Sequence, residues 1–284
     1  MIAELHQTYP NLSIRRLCAL FDVGRTWYST HPSPDEVAAG DVALRGAIEA
    51  LVLAFPGYGY RRVSKQLQRD GWVVNHKRVL RVMRQEALLC QLKRRFVVTT
   101  DSQHGLRRYP NRIADVVIER PDQVWQADIT YIRLPTAFVY LAAILDAYSR
   151  RCVGWALSRS IDTQLTVAAL EMALTTRQPN PGLIHHSDQG VQYANAEYVM
   201  RLEGAGAEIS MAAVGNPYEN AKAESFFKTL KYEEVYLKDY RTFQEAEANL
   251  ETFIADVYND KRLHSSLGYL PPVEFEAAYA LAES

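Results

Sequence analysis

Apolar residues recur at helical spacing in two segments near the N-terminus. In residues 13–30, SIRRLCALFDVGRTWYST, Ser13 stands where a helix N-cap is expected, and apolar side chains follow at intervals of three and four residues. Residues 60–89 repeat this pattern on both sides of the turn RDGW, with an apolar stripe of Val63, Leu67, Val79, Leu80 and Met83. Each segment has the length of a helix-turn-helix, and we predict two such units.

In the 60–89 segment, basic residues are predicted to lie on the side of the helices opposite the apolar stripe. Basic residues on the exposed side of a second helix are what a helix that enters a DNA groove needs. We predict DNA contacts from Arg61, Arg62, Lys77, Arg78, Arg81 and Arg84. A small helical bundle with a solvated basic face is the alternative, and the presence of two basic copies favours DNA contact.

A basic segment without a sustained period follows. Residues 93–112, KRRFVVTTDSQHGLRRYPNR, contain six basic residues and one acid, and they are interrupted by polar residues, glycine and proline. We predict a linker that lies along DNA phosphates through Lys93, Arg94 and Arg95. The predicted boundaries are 1–92 for the basic helix-turn-helix region and 93–120 for the linker.

From residue 124 the pattern becomes strand-like. The segments VWQADITYIRL, FVYLAAILDAY and RCVGWALS come first, and GLIHHSD and AEISM follow. Helical spacing marks DTQLTVAALEMALTTR, ANAEYVMRLEGAG, GNPYENAKAESFFKTLKYEE and TFQEAEANLETFIADVYN. The order β-β-β-α-β-α-β-α-α predicts an α/β domain with a mixed sheet and helices packed on it.

The composition is that of an ordinary globular protein. Hydrophobic residues make up 48% and charged residues 23% of the 284 residues, a length that suits two or three domains. No run is apolar enough to span a bilayer, and the first residues lack the features of a signal peptide. Three widely spaced cysteines predict reduced thiols. We therefore expect a cytoplasmic protein that does not bind membranes.

Charge is segregated along the chain. The net charge of −1 combines 18 basic and 9 acidic residues in 1–112 with 14 basic and 24 acidic residues in 113–284. This asymmetry predicts a basic half that meets polyanions and an acidic half that approaches DNA by other means, such as bound metal ions. A chance imbalance over solvated faces is the alternative.

Three carboxylates occupy positions that suit metal-dependent chemistry at a DNA phosphodiester. Asp128 lies inside an otherwise apolar strand segment, where a charge is unfavourable unless it is paired or bound to metal. Asp188 follows the fourth strand segment, at the edge where α/β sheets bind ligands. Glu224 lies one turn into the helix after GNPYENA. Divalent ions held by such oxygen ligands assist phosphodiester cleavage and transfer.

The motifs around these carboxylates closely resemble those of the OrfB-type DDE transposases of the IS-three family of bacterial insertion sequences. The matching segments are WQADITYI, HHSDQGVQY, GNPYENAKAESFFKTLK and RLHSSLGYLPPVEFE. They match in order and spacing, including the 35 residues between Asp188 and Glu224, and the resemblance covers nearly the whole chain. It implies a ribonuclease-H-like catalytic core of the retroviral-integrase superfamily in 121–284, and Asp128, Asp188 and Glu224 as catalytic ligands of two Mg²⁺ or Mn²⁺ ions.

The resemblance also implies a reaction and partners. Family members bind the terminal inverted repeats of the element, nick DNA to free a 3′-hydroxyl, and use it for in-line attack on a target phosphodiester. The expected partner is therefore double-stranded DNA. A homo-oligomer on DNA and an OrfA-type protein are further expected partners.

The helix that carries Glu224 places two cations beside it. Residues four and seven positions further on share its face. Lys228 and Lys231 are therefore predicted to hold DNA phosphate next to the metal site, and Phe227 to pack on the sheet. A simple ion pair between Glu224 and Lys228, worth about 0.3–0.5 kcal/mol when exposed, is the alternative. Lys222 lies on a different face, and the sequence leaves open whether it contacts DNA or only water.

Other polar residues near the motifs receive non-catalytic or open roles. Asp146 is predicted to cap the turn after its strand. His185 and His186 lack the partners of a zinc site and are predicted to be structural. The residues predicted to shape the floor of the cleft are Gln189, Gly190 and Gln192. Asn216 and Asn220 are predicted either to cap the helix or to contact substrate. A structural or DNA-contacting role is predicted for His264, Ser265 and Ser266. In 210–214 the sequence SMAAV lacks the serine and basic residue of many relatives, which argues against DNA contacts from residues 212–214.

Two other functions use the same features. A catalytically inactive regulator would keep the DNA-binding fold but would tolerate loss of any of the three carboxylates. A metal nuclease would cut DNA without joining it and would need the same residues. The presence of all three acids favours an enzyme, and joining cannot be distinguished from cutting by sequence.

Overall fold

The chain divides into two compact units, Met1–Cys90 and Gln91–Ser284. The computed structural model describes residues 2–25, 34–90, 107–212 and 220–283. The predicted linker contacts Lys93, Arg94 and Arg95 lie outside these ranges, as does Asn216.

The N-terminal unit is helical in its described parts. Its helices are α1 (Ile2–Thr8), α2 (Ile14–Leu20), α3 (Pro34–Ala54), α4 (Tyr60–Arg69) and α5 (His76–Gln85). As predicted, the Ser13 hydroxyl caps α2 by accepting the N–H of Arg16 at 3.4 Å. The second helix predicted after α2 falls largely in residues 26–33, outside the described ranges. Helix α3 was not predicted, because its apolar residues are spread around the helix and give no clear stripe.

Helices α4 and α5 confirm the helix-turn-helix predicted at 60–89. Gly71 adopts φ +88° in the turn, a conformation that favours glycine. Asn75 begins α5, because its side-chain oxygen accepts the N–H of Lys77 at 2.9 Å. Of the predicted apolar stripe, Leu80 is only half-buried, and Val82 takes a place in the core instead. The other four members of the stripe are buried.

The C-terminal unit is built on a five-stranded mixed sheet in the order β3-β2-β1-β4-β5. The strands are β1 (Val124–Arg133), β2 (Phe138–Asp146), β3 (Cys152–Ser158), β4 (Ile184–Ser187) and β5 (Glu208–Met211). Strands β1, β2 and β3 pair antiparallel, whereas β4 runs parallel to both β1 and β5. Each strand lies in a segment that the sequence predicted to be a strand, so the mixed sheet is confirmed.

Helices cover both faces of the sheet. They are α6 (Thr163–Arg177), α7 (Ala196–Gly204), α8 (Ala221–Leu230), α9 (Phe243–Thr252) and α10 (Pro272–Ala282). Helices α8 and α9 continue as π-helical turns, Lys231–Val235 and Phe253–Asn259. The described elements form the ribonuclease-H-like fold that the resemblance implied.

Strand alternation divides the core into two layers. Trp125, Ala127 and Ile129 of β1 pack in the cluster that contains residues of α6 and α7. Ile132 packs in the cluster that contains residues of α8 and α9. Because alternate residues point to opposite faces, Asp128 belongs to the face covered by α8. The strand therefore presents a carboxylate toward the helix that carries Glu224.

Helix α10, which was not predicted, is held by an ion-pair network. Arg177 at the end of α6 donates hydrogen bonds to Asp122 at 2.7 Å and to Glu276 of α10 at 2.8 Å. Arg151 donates a second charged hydrogen bond to Glu276 at 2.7 Å. The network joins α6, the start of β1 and the last described helix of the chain.

Candidate active site

Two neighbouring strands lead to Asp128 and Asp188. The parallel register pairs Val124 with Ile184 and Gln126 with His186. Each aspartate lies two residues beyond the last of these pairs, and the charge of Asp188 acts on Asp128. Asp188 comes directly after β4, and its Oδ1 accepts the N–H of Gly190 at 2.9 Å. The sheet topology thus brings together two carboxylates that are 60 positions apart in the chain.

Helix α8 begins beside the same point of β1. The Asn220 side chain donates its Nδ2–H to the carbonyl oxygen of Ala127 at 3.1 Å, which joins the start of the helix to the residue before Asp128. Asn220 occupies the N-cap position without making a side-chain cap hydrogen bond. Asn220 thus stands at the predicted cap position, but its side chain bonds the strand instead of the first turn of the helix, and the alternative of a substrate contact stays a prediction. Glu224 follows one turn later and is exposed.

The pKa of Asp128 is affected by the charges of the other two acids. Burial raises the pKa of Asp128, and the negative charges of Asp188 and Glu224 raise it further, to about 8. The N–H of Ile129 and the positive charge of Lys231 act in the opposite direction. A cation placed here would relieve this repulsion, because an opposite charge favours the ionised carboxylate.

The donor set fits a hard divalent cation. The three side chains offer carboxylate oxygens, which Mg²⁺ and Mn²⁺ prefer. Two buried polar atoms nearby, the Tyr193 hydroxyl and the Asn220 Oδ1, make no hydrogen bond with a described residue. The charges of Asp128 and Asp188 also reach Tyr193. In the described ranges, however, no three acidic, histidine or cysteine side chains converge closely enough to form a ready-made ion site.

The two predicted lysines of α8 differ in environment. Lys228 is exposed, and among the described residues it makes no ion pair with Glu224. Lys231 is half-buried, with its Nζ 4.7 Å from the centre of the Tyr131 ring. Burial lowers the pKa of Lys231, and the charge of Asp128 counteracts that shift. Lys231 is thus held close to the carboxylates, whereas Lys228 is open to solvent.

Lys222 is not a freely solvated lysine. It is half-buried, and burial together with the positive charge of Arg150 lowers its pKa to about 8. The charge of Asp146 counteracts that shift. The sequence left the environment of Lys222 open, and the structure places this side chain near the turn after β2.

Asp146 caps this turn, as predicted. Its Oδ1 accepts the N–H groups of Tyr148 and Ser149, at 2.9 and 2.7 Å, and the hydroxyl of Ser149 at 3.0 Å. Its Oδ2 accepts the N–H of Asp122. These hydrogen bonds satisfy a fully buried carboxylate.

The histidine pair lies in the protein core. His185 Nε2 is 2.9 Å from the Tyr198 hydroxyl, and His186 Nδ1 is 2.8 Å from the Ser210 hydroxyl. Burial lowers the pKa of His185 to about 3, and the neighbouring His186 lowers it as well. Both contacts tie β4 to its neighbours, in agreement with the predicted structural role.

The other candidates near the motifs make local contacts. Gln189 donates to the carbonyl of Ala212 at 2.9 Å, and Gln192 donates to the carbonyl of Ile161 at 3.3 Å. His264 is buried and packs edge-on against Tyr258 at 4.9 Å. Sequence reasoning missed Tyr193, whose hydroxyl is buried and which feels the charges of Asp128 and Asp188. A tyrosine five residues after an aspartate gives no sign of this proximity in the sequence alone.

Within the N-terminal unit, the predicted DNA contacts lie in three kinds of environment. Arg61, Lys77 and Arg84 are exposed. Arg78 and Arg81 form ion pairs with Asp41 of α3, at 2.9 and 2.7 Å. The remaining predicted contact, Arg62, is half-buried with its guanidinium 5.7 Å from the Tyr58 ring centre.

Comparison with known protein families matches both units. An integrase core domain model matches residues 118–217, a second integrase core model matches 205–272, and an HTH-like domain model matches 40–96. The "Insertion element IS600 uncharacterized 31 kDa protein" of Shigella sonnei is 36% identical over 267 residues, which cover 93% of this chain and 98% of that protein. Transposase InsF for insertion sequence IS3A of Escherichia coli (strain K12) is 32% identical, with 96% of each chain covered. The chain belongs to the IS-three family of insertion-sequence transposases.

As a member of the IS-three family, the chain is an enzyme of the DDE transposase/integrase type with an integrase-type core and an HTH-like domain. Among solved structures, a chain of the simian T-cell lymphotropic virus intasome is similar at 15% identity, with a TM-score of 0.47 over 80% of this chain and 73% of that one. In the described ranges of this family member, no helix has both the length and the apolar character needed to cross a membrane.

Proposed function

We propose that this transposase nicks the ends of its insertion sequence to free a 3′-hydroxyl and then joins that hydroxyl to target DNA by in-line attack. Asp128, Asp188 and Glu224 are the catalytic carboxylates in this proposal. The observation that carries it is the meeting of three acidic charges at Asp128, on paired strands and the facing helix. Such a cluster is unfavourable without a cation and is suited to phosphodiester chemistry with one.

The three carboxylates would hold two Mg²⁺ or Mn²⁺ ions. Bound divalent ions activate the attacking oxygen and stabilise the leaving oxygen of an in-line displacement. Asn220 supports the site by fixing the start of α8 against β1. Gly190 supports it by holding Asp188 through its N–H. Lys231 and Lys228 would bind the phosphates that flank the reacting bond.

The proposed substrate is double-stranded DNA, both the terminal inverted repeats and the target. Arg61, Lys77 and Arg84 are exposed on the helix-turn-helix and would contact its phosphates or bases. Because two ends must be joined to one target, the active form would be a homo-oligomer on DNA. An OrfA-type partner and action in the cytoplasm belong to the same proposal.

A strand-transfer assay tests this function. Labelled duplexes carrying the element ends are incubated with the full chain, target plasmid and Mg²⁺, and the products are separated under denaturing conditions. Joined product is expected, with no protein attached to the DNA. Cleavage without joining would favour the nuclease alternative, and binding without cleavage would favour the inactive regulator.

Gly190→Ala should disturb the site while leaving the fold intact. A Cβ at this position would lie 2.9 Å from Asp188 Oδ1, so the carboxylate must move. Because residues that support metal ligands contribute about 10- to 100-fold to metal affinity or activity, we expect Mg²⁺-dependent cleavage to fall by that factor.

Gly204→Ala is the matched control, because a Cβ there meets nothing within 4 Å. Both variants should unfold at temperatures close to that of the wild type. Full activity of Gly190→Ala would contradict the proposed role of Asp188.

A further inference from the structure

The far half of the β1–β2 hairpin presents an aromatic and cationic surface. Strand β4 pairs with β1 only as far as Gln126, whereas β2 pairs with β1 as far as Arg133. In this far half, Tyr131 pairs with Tyr140 and Arg133 pairs with Phe138. Because residues paired across an antiparallel ladder project to the same side, these four side chains share one surface, the hairpin face.

The other side of the same hairpin is closed by the core. Ile132 and Val139 pair with each other and are each 1% exposed, in the cluster that contains residues of α8 and α9. On the hairpin face, in contrast, Phe138 is 48% exposed, Arg133 is exposed, and the two tyrosines are partly exposed. Burial therefore accounts for the apolar residues on one side of the hairpin but not for the aromatic residues on the other.

Direct contacts join this face to a cation that follows α8. The rings of Tyr131 and Phe138 meet edge to face, with centres 5.5 Å apart and planes at 84°. Lys231 holds its Nζ 4.7 Å from the centre of the Tyr131 ring. The hairpin face and Lys231 together contain three aromatic rings and two cations but no acid. Such a surface is complementary to nucleic acid, which offers base rings and phosphates.

The hairpin face lies close to the proposed catalytic carboxylates along the chain. Tyr131 follows Asp128 by three residues on β1, which is about 10 Å at a rise of about 3.3 Å per residue. Alternation turns the two side chains to opposite sides of β1. Lys231 bridges these sides, because it follows the helix on the Asp128 side and reaches the Tyr131 ring. A DNA strand with a phosphate at Asp128 would therefore have neighbouring nucleotides within reach of the hairpin face.

The aromatic rings favour one state of the DNA. Inside a duplex, neighbouring base pairs cover both faces of each base, so a protein ring stacks only on a terminal or unpaired base. Such stacking tolerates any sequence, because every base has a π-face. Proteins that bind single strands combine such rings with cations along the backbone. The hairpin face offers both groups.

We propose that the hairpin face stacks an unpaired base at the DNA end, with Phe138 as the exposed ring, while Arg133 and Lys231 bind the phosphates beside that base. The site rests on the proposed function, because the end that it holds is the end that the carboxylates cut. It gives the hairpin a role in DNA binding that needs no metal ion and no base-specific hydrogen bond.

Fluorescence of 2-aminopurine tests the stacking. The full chain is titrated without divalent metal into a blunt duplex and into a duplex with a short overhang that carries 2-aminopurine. We expect the wild type to bind the overhang duplex more tightly and to quench it. Phe138→Ala should weaken this binding by about 5- to 100-fold, the usual range for the loss of one stacked base, and should leave the blunt duplex unaffected. Phe138→Trp should keep both binding and quenching.

Tyr236→Ala is the matched control for the ring. Tyr236 is 47% exposed and meets Tyr232 edge to face at 5.5 Å, much as Phe138 meets Tyr131. The control should retain wild-type affinity and quenching. An equal loss in the control, or an equal loss of blunt-duplex binding in Phe138→Ala, would overturn the stacking site. A wild type that binds both duplexes equally and quenches neither would overturn it as well.

Arg133→Gln tests the phosphate contact. On the overhang duplex, the slope of log affinity against log salt should fall by about 0.7, the value for one phosphate of a single strand. Arg120→Gln removes the same charge from an exposed position ahead of β1, at the opposite end of the strand from Arg133, and should keep the slope. An unchanged slope in Arg133→Gln, or an equal change in the control, would contradict the site.

Thermal unfolding and sedimentation separate base stacking from folding and assembly. Phe138→Leu keeps an apolar side chain without a ring, so it should unfold at the wild-type temperature and still lose quenching. Retained quenching in this variant would overturn the site. A smaller assembly of Phe138→Ala with unchanged quenching would make the hairpin face a protein interface and would overturn it too. Because binding is measured without metal, absence of joining in a wild type that stacks the base would reject the proposed function alone.

Discussion

Glu224→Gln is expected to lower Mg²⁺-dependent cleavage of element ends by at least about 10³-fold, while DNA binding stays at the wild-type level. The change keeps the size of the side chain and removes the charge of one proposed metal ligand. Metal ions supply several kcal/mol of transition-state stabilisation, and each 1.36 kcal/mol corresponds to a factor of ten in rate. The side chain is exposed, so its replacement should not disturb packing.

The measurement compares initial cleavage rates of wild type, Glu224→Gln and Glu247→Gln on the same labelled duplex. Glu247 is an exposed acid of α9, in the same unit, and its replacement controls for the removal of one negative charge. The control should cleave at the wild-type rate. Activity that survives in Glu224→Gln would remove this residue from the proposed ligand set and reopen the choice of the third carboxylate.

Arg177→Met should lower the free energy of unfolding by about 3–5 kcal/mol, the usual consequence of removing one partner from a buried ion pair. Only 12% of the Arg177 side chain is exposed, and it bonds both Asp122 and Glu276. Without it, two carboxylates remain in a poorly hydrated position. The comparison variant is Arg112→Met, whose ion pair with Glu208 is exposed and should contribute about 0–1 kcal/mol.

Urea unfolding at several pH values measures this effect. Burial alone would raise the pKa of Glu276, but hydrogen bonds from Arg177, Arg151 and Ser149 lower it. A carboxyl whose pKa is lowered by folding contributes stability above its unfolded pKa and loses it as the pH falls through the folded value. The difference between wild type and Arg177→Met should therefore shrink in acid. A difference as small as that of Arg112→Met at neutral pH would show that the network is dispensable.

The elements with strong periodicity were predictable from sequence, whereas those held by long-range contacts were not. The strand that contains Asp128 is rich in β-branched and aromatic residues, and the strand before Asp188 is a short segment with a polar end, so both were found close to their observed bounds. Helix α10 was not predicted, and Glu276 in it is held by Arg177, 99 positions away in the sequence. A local sequence pattern carries no information about such a distant partner. Helix α3 was not predicted because its apolar residues are spread around the helix and form no stripe.

The candidate site likewise has some features that the sequence predicts and others that depend on the fold. The spacing of Glu224, Lys228 and Lys231 on one helix gives their common face from geometry alone. The proximity of Asp128 and Asp188 depends on how β4 joins the sheet, and the resemblance, not the periodicity, suggested that these residues act together. The contact of Asn220 with β1 depends on helix packing and had no sequence signal.

The ion pairs of Arg78 and Arg81 with Asp41 change what these arginines can contribute to DNA binding. The pKa of Asp41 is lowered, because hydrogen bonds and charge from both arginines outweigh its partial burial. A phosphate that reaches either guanidinium must replace this internal carboxylate. The net gain is then the difference between two similar ion pairs, and fewer counterions are released than from a free arginine. Such residues serve orientation more than affinity, because the carboxylate fixes the direction of both side chains before DNA arrives.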